Sequence, residues 1–229
     1  MCSSDLEEEA RRIAAEGALD TWVRCVPAFS SLGWFSDPLY SSMINGRDHQ
    51  IAELVVHESL HATVWVKGGV DFNEKLANFA GLEGSVRYME NEKGVAGVQL
   101  VREEVRGEKI FADFMKGALD LYRSSVKNQD DKAKFYGSLS GSYASFLEQK
   151  RKSGEKFTAV RAKLDGWNNA ALLAYANYYS DFSVLEKMLA ACKGDLGRFV
   201  AWISKVQREA GDEFSRAPED YLGRLSLCP

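Results

Sequence analysis

The sequence predicts an α+β protein that is mainly helical, with a small N-terminal sheet and a C-terminal helical region. Past Gly94, apolar residues recur at helical spacing with few breakers. β-Branched and aromatic residues between Thr21 and Phe29 predict a strand, with Asp20 before it and a run of serines after it. With 229 residues and 45% hydrophobic content, the chain is long for one domain and short for two.

Four helical elements are predicted from the same periodicities. Residues 7–17 are amphipathic and predict a short N-terminal helix. Glu103–Lys127 and Asp130–Lys152 predict two long helices, which we expect to be antiparallel because the Asn128-Gln129 connection is short. A further helix is predicted to begin near Trp167.

The pentapeptide His57-Glu58-Ser59-Leu60-His61 is a complete H-E-x-x-H motif. Helical residues four apart lie roughly 5–6 Å from one another, so both imidazoles can bind one Zn2+ ion at about 2.0 Å. Glu58 is rotated by about a quarter-turn from His57 and can serve as the base for a water at the metal. A chance match on an ordinary buried helix occurs in on the order of one such chain in a hundred, so metal binding is favoured.

The residues around the motif predict a helix. Asp48 can cap its N-terminus after the Asn45-Gly46 turn signal, and Gly68-Gly69 is predicted to end it. Its apolar face consists of Ile51, Leu54, Val55 and Leu60.

A catalytic zinc site normally has three protein ligands, so a third group is expected. No histidine follows at the spacing of the H-E-x-x-H-x-x-G-x-x-H pattern, which leaves a carboxylate. Glu74 and Glu83 are the candidates on the next predicted helix, 71–89, and lie half a turn out of phase. Alternatively, Glu74 forms a capping box with Asp71.

The string F-N-E-K-L-A-N-F at 72–79 resembles the N-E-x-x-A strings of thermolysin-like and alanyl-aminopeptidase-like zinc peptidases. The resemblance implies that His57, His61 and Glu74 are the metal ligands. Asn78 lies one helical turn after Glu74 and is predicted to accept a hydrogen bond from a ligand imidazole, where those families often have an acidic residue.

A longer resemblance covers most of the chain. The stretch from Trp22 to Met89, above all Val26–Pro38 and the zinc motif, resembles a family of bacterial predicted zinc aminopeptidases. Trp167-Asn168-Asn169-Ala170 with Tyr178 downstream resembles the closing signature of the same family. This resemblance implies a gluzincin-type site in a zincin-like metallopeptidase core, with a peptide as substrate.

The resemblance also implies roles for residues outside the motif. Tyr178 is expected to donate a hydrogen bond to the oxyanion, and the alternative is a tyrosine packed on the core. Asn168 can be an N-cap. Val23–Phe29 or Ser30–Phe35 is expected to pair with the substrate backbone, and an ordinary core strand is the alternative.

The relatives implied by the resemblance are longer and start with a secretion or lipoprotein-type signal. We therefore expect this chain to be N-terminally truncated, and the resemblance implies the cell envelope or periplasm. The expected organisation is one metallopeptidase domain over 1–229, with a zinc-site core at 20–95 and a helical subdomain at 96–229.

Composition excludes some classes of protein. A net charge of −4 argues against nucleic-acid binding. No apolar run approaches the roughly 20 residues that span a bilayer, and no cationic start leads into a signal segment. The four cysteines contain no C-x-x-C pair and predict no zinc knuckle: Cys2, Cys25, Cys192 and Cys228.

The predicted function is hydrolysis of peptide bonds by water that Zn2+ activates, with Glu58 as the general base. The resemblance implies an aminopeptidase, whereas the residues alone do not distinguish an exopeptidase from an endopeptidase. The alternative is a non-catalytic zinc- or peptide-binding envelope protein. The intact Glu58 argues against that alternative, because a structural zinc site needs no base.

Overall fold

The computed structural model describes residues 4–16, 19–23, 44–158, 164, 166–176 and 182–225. Regular secondary structure within these ranges is entirely helical, and the helices in chain order are α1 (Ser4–Glu16), α2 (Asp48–His61), α3 (Val70–Ser125), α4 (Gln129–Lys152), α5 (Asn169–Ala176), α6 (Ser183–Ala191), α7 (Leu196–Ala210), α8 (Asp212–Arg216) and α9 (Pro218–Arg224).

The predicted α+β class, with its small N-terminal sheet, is wrong. No strand occurs in the described residues, and the zincin-like core implied by the resemblance is not shown by the structure. Thr21, the first residue of the predicted strand, bonds elsewhere: its hydroxyl donates to the Ala10 carbonyl at 3.2 Å, and its backbone carbonyl accepts from the side-chain amide of Asn168 at 2.8 Å. The backbone carbonyl of Thr21 is therefore bonded to a side chain instead of a neighbouring strand, and this contact overrides the β propensity of the residue. Of the two segments proposed to pair with substrate, Val23–Phe29 and Ser30–Phe35, only Val23 lies in the described ranges, and it is not in a strand.

The chain divides into two compact units. The site unit contains the described residues of Pro27–Val101 and Asp181–Pro229, and the hairpin unit contains those of Met1–Val26 and Arg102–Ser180. Residues 182–225 therefore belong to the same unit as the H-E-x-x-H segment. α3 has residues in both units and is interrupted at Gly94, whose φ of 58° and ψ of −146° are not helical.

The hairpin unit contains the predicted pair of long helices. The rings of Phe114 and Tyr143 lie 4.9 Å apart, and those of Tyr122 and Phe135 lie 5.3 Å apart, so α3 and α4 run antiparallel. Asn128 caps α4 by accepting a hydrogen bond from the Asp131 amide at 2.9 Å.

The Trp167-Asn168-Asn169 string has a structural role in the hairpin unit. Asn168 Oδ1 accepts from the Ala171 amide at 3.1 Å, which makes it the cap of α5, as the alternative interpretation expected. Its amide nitrogen holds the Thr21 carbonyl, and the Asn169 amide donates to the Asp20 carboxylate at 3.1 Å. The string thus joins α5 to residues 20–21.

The core of the site unit forms where α2 and the first part of α3 meet α6–α9. Buried aromatic rings contact one another in it: Phe79 contacts Phe199 edge-on at 5.6 Å, and Phe72 contacts Phe214 at 5.7 Å. Lys75 and Glu219 add an ion pair at 2.7 Å between α3 and α9. Cys192 is buried in this core and is disulfide-bonded.

We found no helix in the described ranges that combines the length and apolar character needed to cross a bilayer.

Candidate metal centre

Three side chains of the site unit converge on one point. His57 and His61 lie one turn apart on α2, and their Nε2 atoms are 3.1 Å from each other. Glu74, in the first turns of α3, places Oε2 3.6 Å from His57 Nε2 and Oε1 3.4 Å from His61 Nε2. The potential ligand atoms of these three residues all lie within 4.8 Å of one another.

The helix that carries the histidines ends earlier than predicted. α2 ends at His61, not at Gly68-Gly69, because the following residues turn back into the core. The amides of Thr63 and Val64 both donate to the Leu60 carbonyl at 2.8 Å, and Val64 is buried. This early end places the start of α3 beside the last turn of α2.

Asn73 fixes the connection between the two helices. It is 1% exposed, and its side chain makes two hydrogen bonds of 2.9 Å to the backbone of Val66, one to the amide and one to the carbonyl. Since Asn73 directly precedes Glu74, these two hydrogen bonds also fix the position of Glu74 on α3. Sequence analysis did not assign this role, although the resemblance included Asn73 in its string.

Two glycines allow α3 to approach α2 closely at the histidines. A Cβ atom at Gly81 would lie 2.8 Å from the Glu53 carbonyl oxygen and 3.4 Å from His57 Cβ. A Cβ atom at Gly84 would lie 2.8 Å from Val56. Both contacts are too short for a real side chain, so the packing at His57 depends on glycine. Sequence analysis missed this signal, a G-x-x-G spacing on the helix that follows the motif.

The distances between the donor atoms fit a shared metal ion. Ligands at about 2.0–2.1 Å from a tetrahedral zinc lie roughly 3.3 Å from one another. The three separations observed here are 3.1, 3.4 and 3.6 Å. Two imidazoles and one carboxylate also match the donor set of catalytic zinc sites, which keep one position open.

The electrostatics of His61 favour a neutral imidazole. Burial lowers the pKa of His61, and the nearby ring of His57 lowers it further. The carboxylates of Glu74 and Glu58 oppose this shift without reversing it. A neutral ring keeps a lone pair for a metal, and Nδ1 of His61 is buried without a hydrogen-bond partner in the described part of the chain.

The other predicted site residues have different surroundings. Glu58 is half-buried on α2, next to His57 in the chain, and its charge acts on His61. Asn78 is half-buried one turn after Glu74, and its hydrogen bond to an imidazole stays a prediction. Tyr178 lies outside the described residues.

Glu83, the alternative ligand, is not part of the cluster. Its carboxylate accepts a hydrogen bond from Arg87 at 2.9 Å, and Arg87 also donates to the Gly194 carbonyl. The third histidine of the chain, His49, is buried at the start of α2 and is not in the cluster either.

A family model with the description "Putative aminopeptidase" matches residues 3–216. Neither a curated protein nor a solved structure matches the chain.

Proposed function

Since this chain belongs to the family described as "Putative aminopeptidase", we propose that it hydrolyses peptide bonds with the help of Zn2+ at His57, His61 and Glu74. The observation that carries the proposal is the convergence of three side chains, with the Nε2 atoms of His57 and His61 3.1 Å apart and each of them 3.4–3.6 Å from one carboxylate oxygen of Glu74. Two separate segments of the sequence contribute to this cluster. If the pentapeptide were a chance match on a buried helix, there would be no reason for Glu74 to lie beside its two histidines.

The three proposed ligands would leave one position open for water or substrate. Zn2+, when bound there, would act as a Lewis acid that polarises the substrate carbonyl and lowers the pKa of a water toward about 7. The side chain of Glu74 is 51% exposed while that of His61 is only 4% exposed. The site therefore opens to solvent on its Glu74 side, where a peptide can approach.

Glu58 is the proposed general base. Its carboxylate takes a proton from the attacking water as the new C–O bond forms, and it returns that proton to the amine nitrogen as the C–N bond breaks. The identity of the oxyanion donor rests on the resemblance alone, which assigns it to Tyr178.

The family description favours removal of N-terminal residues over internal cleavage. An aminopeptidase needs a group that holds the free α-amino end of its substrate. Glu83 does not offer an open carboxylate for this purpose, because it pairs with Arg87 at 2.9 Å.

A mixed peptide library, incubated with the zinc-loaded protein and analysed by mass spectrometry, tests this proposal. We expect cleavage products that are absent when the same protein has been treated with a chelator. A ladder of peptides shortened from the N-terminus would identify an aminopeptidase, and internal cuts would identify an endopeptidase. An intact library in the presence of zinc-loaded protein would contradict peptide hydrolysis.

A further inference from the structure

Trp65 lies beside the candidate metal centre and faces away from the core. Val64 and Val66, on either side of it, are 2% and 0% exposed, whereas Trp65 keeps 37% of its surface exposed. Burial therefore alternates along this connection between α2 and α3. The exposed part of the indole leaves apolar area in water next to a proposed metal ligand, where it is available to a bound peptide.

The indole ring packs directly on a proposed metal ligand. The ring centroids of Trp65 and His61 lie 5.6 Å apart, with an interplanar angle of 71°. The residues of an extended peptide follow one another at about 3.3–3.6 Å. The indole thus lies within the length of two extended peptide residues from the ring of His61.

The backbone at Trp65 is held on both sides. Gln207, on α7, donates a hydrogen bond from its side chain to the Trp65 carbonyl. Asn73 holds the amide and the carbonyl of Val66 at 2.9 Å. A contact surface that is fixed before the ligand arrives loses little conformational entropy on binding.

We infer that Trp65 determines substrate specificity at this site by selecting peptides with a large apolar or aromatic side chain next to the cleaved bond. The inference rests on the proposed function. A tryptophan side chain offers a rigid, amphipathic contact area at low entropic cost, and the exposed part of the ring is available for it. Loss of an apolar contact of this kind typically changes kcat/KM by roughly tenfold or more.

The competing role for Trp65 is to orient the His61 ring. In that case a change at Trp65 would weaken zinc binding and lower the rates for all peptides by the same factor. A specificity role instead changes the ratio of rates between peptides and leaves the zinc content as it was.

The test compares the parent with Trp65→Ala on two peptides that differ only by phenylalanine or alanine beside the cut bond. Both proteins carry their zinc, and the bound zinc is measured for each. We expect the ratio of kcat/KM between the two peptides to fall about tenfold in Trp65→Ala, with one zinc still bound. The matched control is Tyr88→Ala, since Tyr88 is 39% exposed on α3 and lies about 21 Å along that helix from Glu74.

Each outcome decides the inference. An unchanged ratio in an active Trp65→Ala protein overturns it and leaves the proposed function intact. A parallel loss of zinc and of both rates assigns Trp65 to the positioning of His61 and also overturns it. If Trp65→Ala does not fold, Trp65→Lys takes its place, and the preference should then shift toward an acidic side chain. Absence of any zinc-dependent cleavage by the parent overturns the proposed function and the inference together.

Discussion

A Glu58→Gln variant is expected to bind zinc as the parent does and to lose peptide hydrolysis. The amide has nearly the shape of the carboxylate but cannot accept the proton of the attacking water. Removal of a general base typically lowers kcat by about 10²–10⁴-fold. The two quantities to measure are kcat for a cleaved peptide and the zinc bound per chain. Because Glu58 is not in the group that could hold the ion, the zinc content should not change.

Asp48→Asn is the matched control for this variant. Asp48 starts the same helix, and its side chain is 62% exposed opposite Lys93 at 3.8 Å. The substitution makes the same change from acid to amide about 15 Å along the helix from Glu58, so kcat should stay near the parent value. Glu58→Gln with the activity of the parent would show that another group takes the proton or that the cleavage occurs elsewhere.

A Glu74→Ala variant is expected to lose zinc. It removes one of the three converging donors and leaves two imidazoles 3.1 Å apart. Loss of a residue that merely orients a ligand already costs about 10–100-fold in metal affinity, so loss of a ligand should cost more than about 100-fold. Isothermal titration calorimetry of the metal-free proteins with zinc measures the difference in zinc affinity between the parent and Glu74→Ala.

Glu83→Ala controls for the loss of a carboxylate from the same helix. Glu83 pairs with Arg87, which in turn holds the Gly194 carbonyl, so this variant should unfold at a lower temperature and still bind zinc with the affinity of the parent. The reverse pattern, with zinc lost in Glu83→Ala and kept in Glu74→Ala, would exclude the ligand set proposed here.

The cluster of His57, His61 and Glu74 could be anticipated because its information is local. Spacing along α2 fixes the relation of the two histidines, and a short string on the next helix carries the glutamate. Helical phase alone shows only that Glu74 and Glu83 cannot both face one metal ion, and the family resemblance is what favours Glu74. Contacts such as the pairing of Glu83 with Arg87 are not visible in that pattern.

The end of α2 and the missing strand depended on tertiary contacts. Gly68-Gly69 is a sound local stop signal, but Val64 and Val66 enter the core, and the helix ends at His61. At Thr21, the bond from the Asn168 side chain, 147 residues away in the chain, replaces strand pairing. Hydrogen bonds between residues so distant in sequence leave no periodic signal, which is why the propensity of Thr21 predicted a strand.

Trp65 and Asn73 were missed for a similar reason. Neither residue is marked by a periodic pattern in the sequence. The position of each depends on contacts made around the connection between α2 and α3. The sequence places Asn73 near the start of a predicted helix, and only the structure shows its two hydrogen bonds to the backbone of Val66. The sequence does not show that Trp65 is exposed and packs against the His61 ring.

The most direct measurement is a zinc titration of the metal-free parent in which bound zinc and hydrolysis of one cleaved peptide are followed together. Zinc-dependent hydrolysis at the cluster predicts that the rate rises in proportion to occupancy and stops rising at one zinc per chain. The rate should stay at the baseline throughout the same titration of Glu74→Ala. Zinc-dependent hydrolysis at the cluster would be contradicted by hydrolysis by the metal-free parent, or by one bound zinc without hydrolysis of any library peptide.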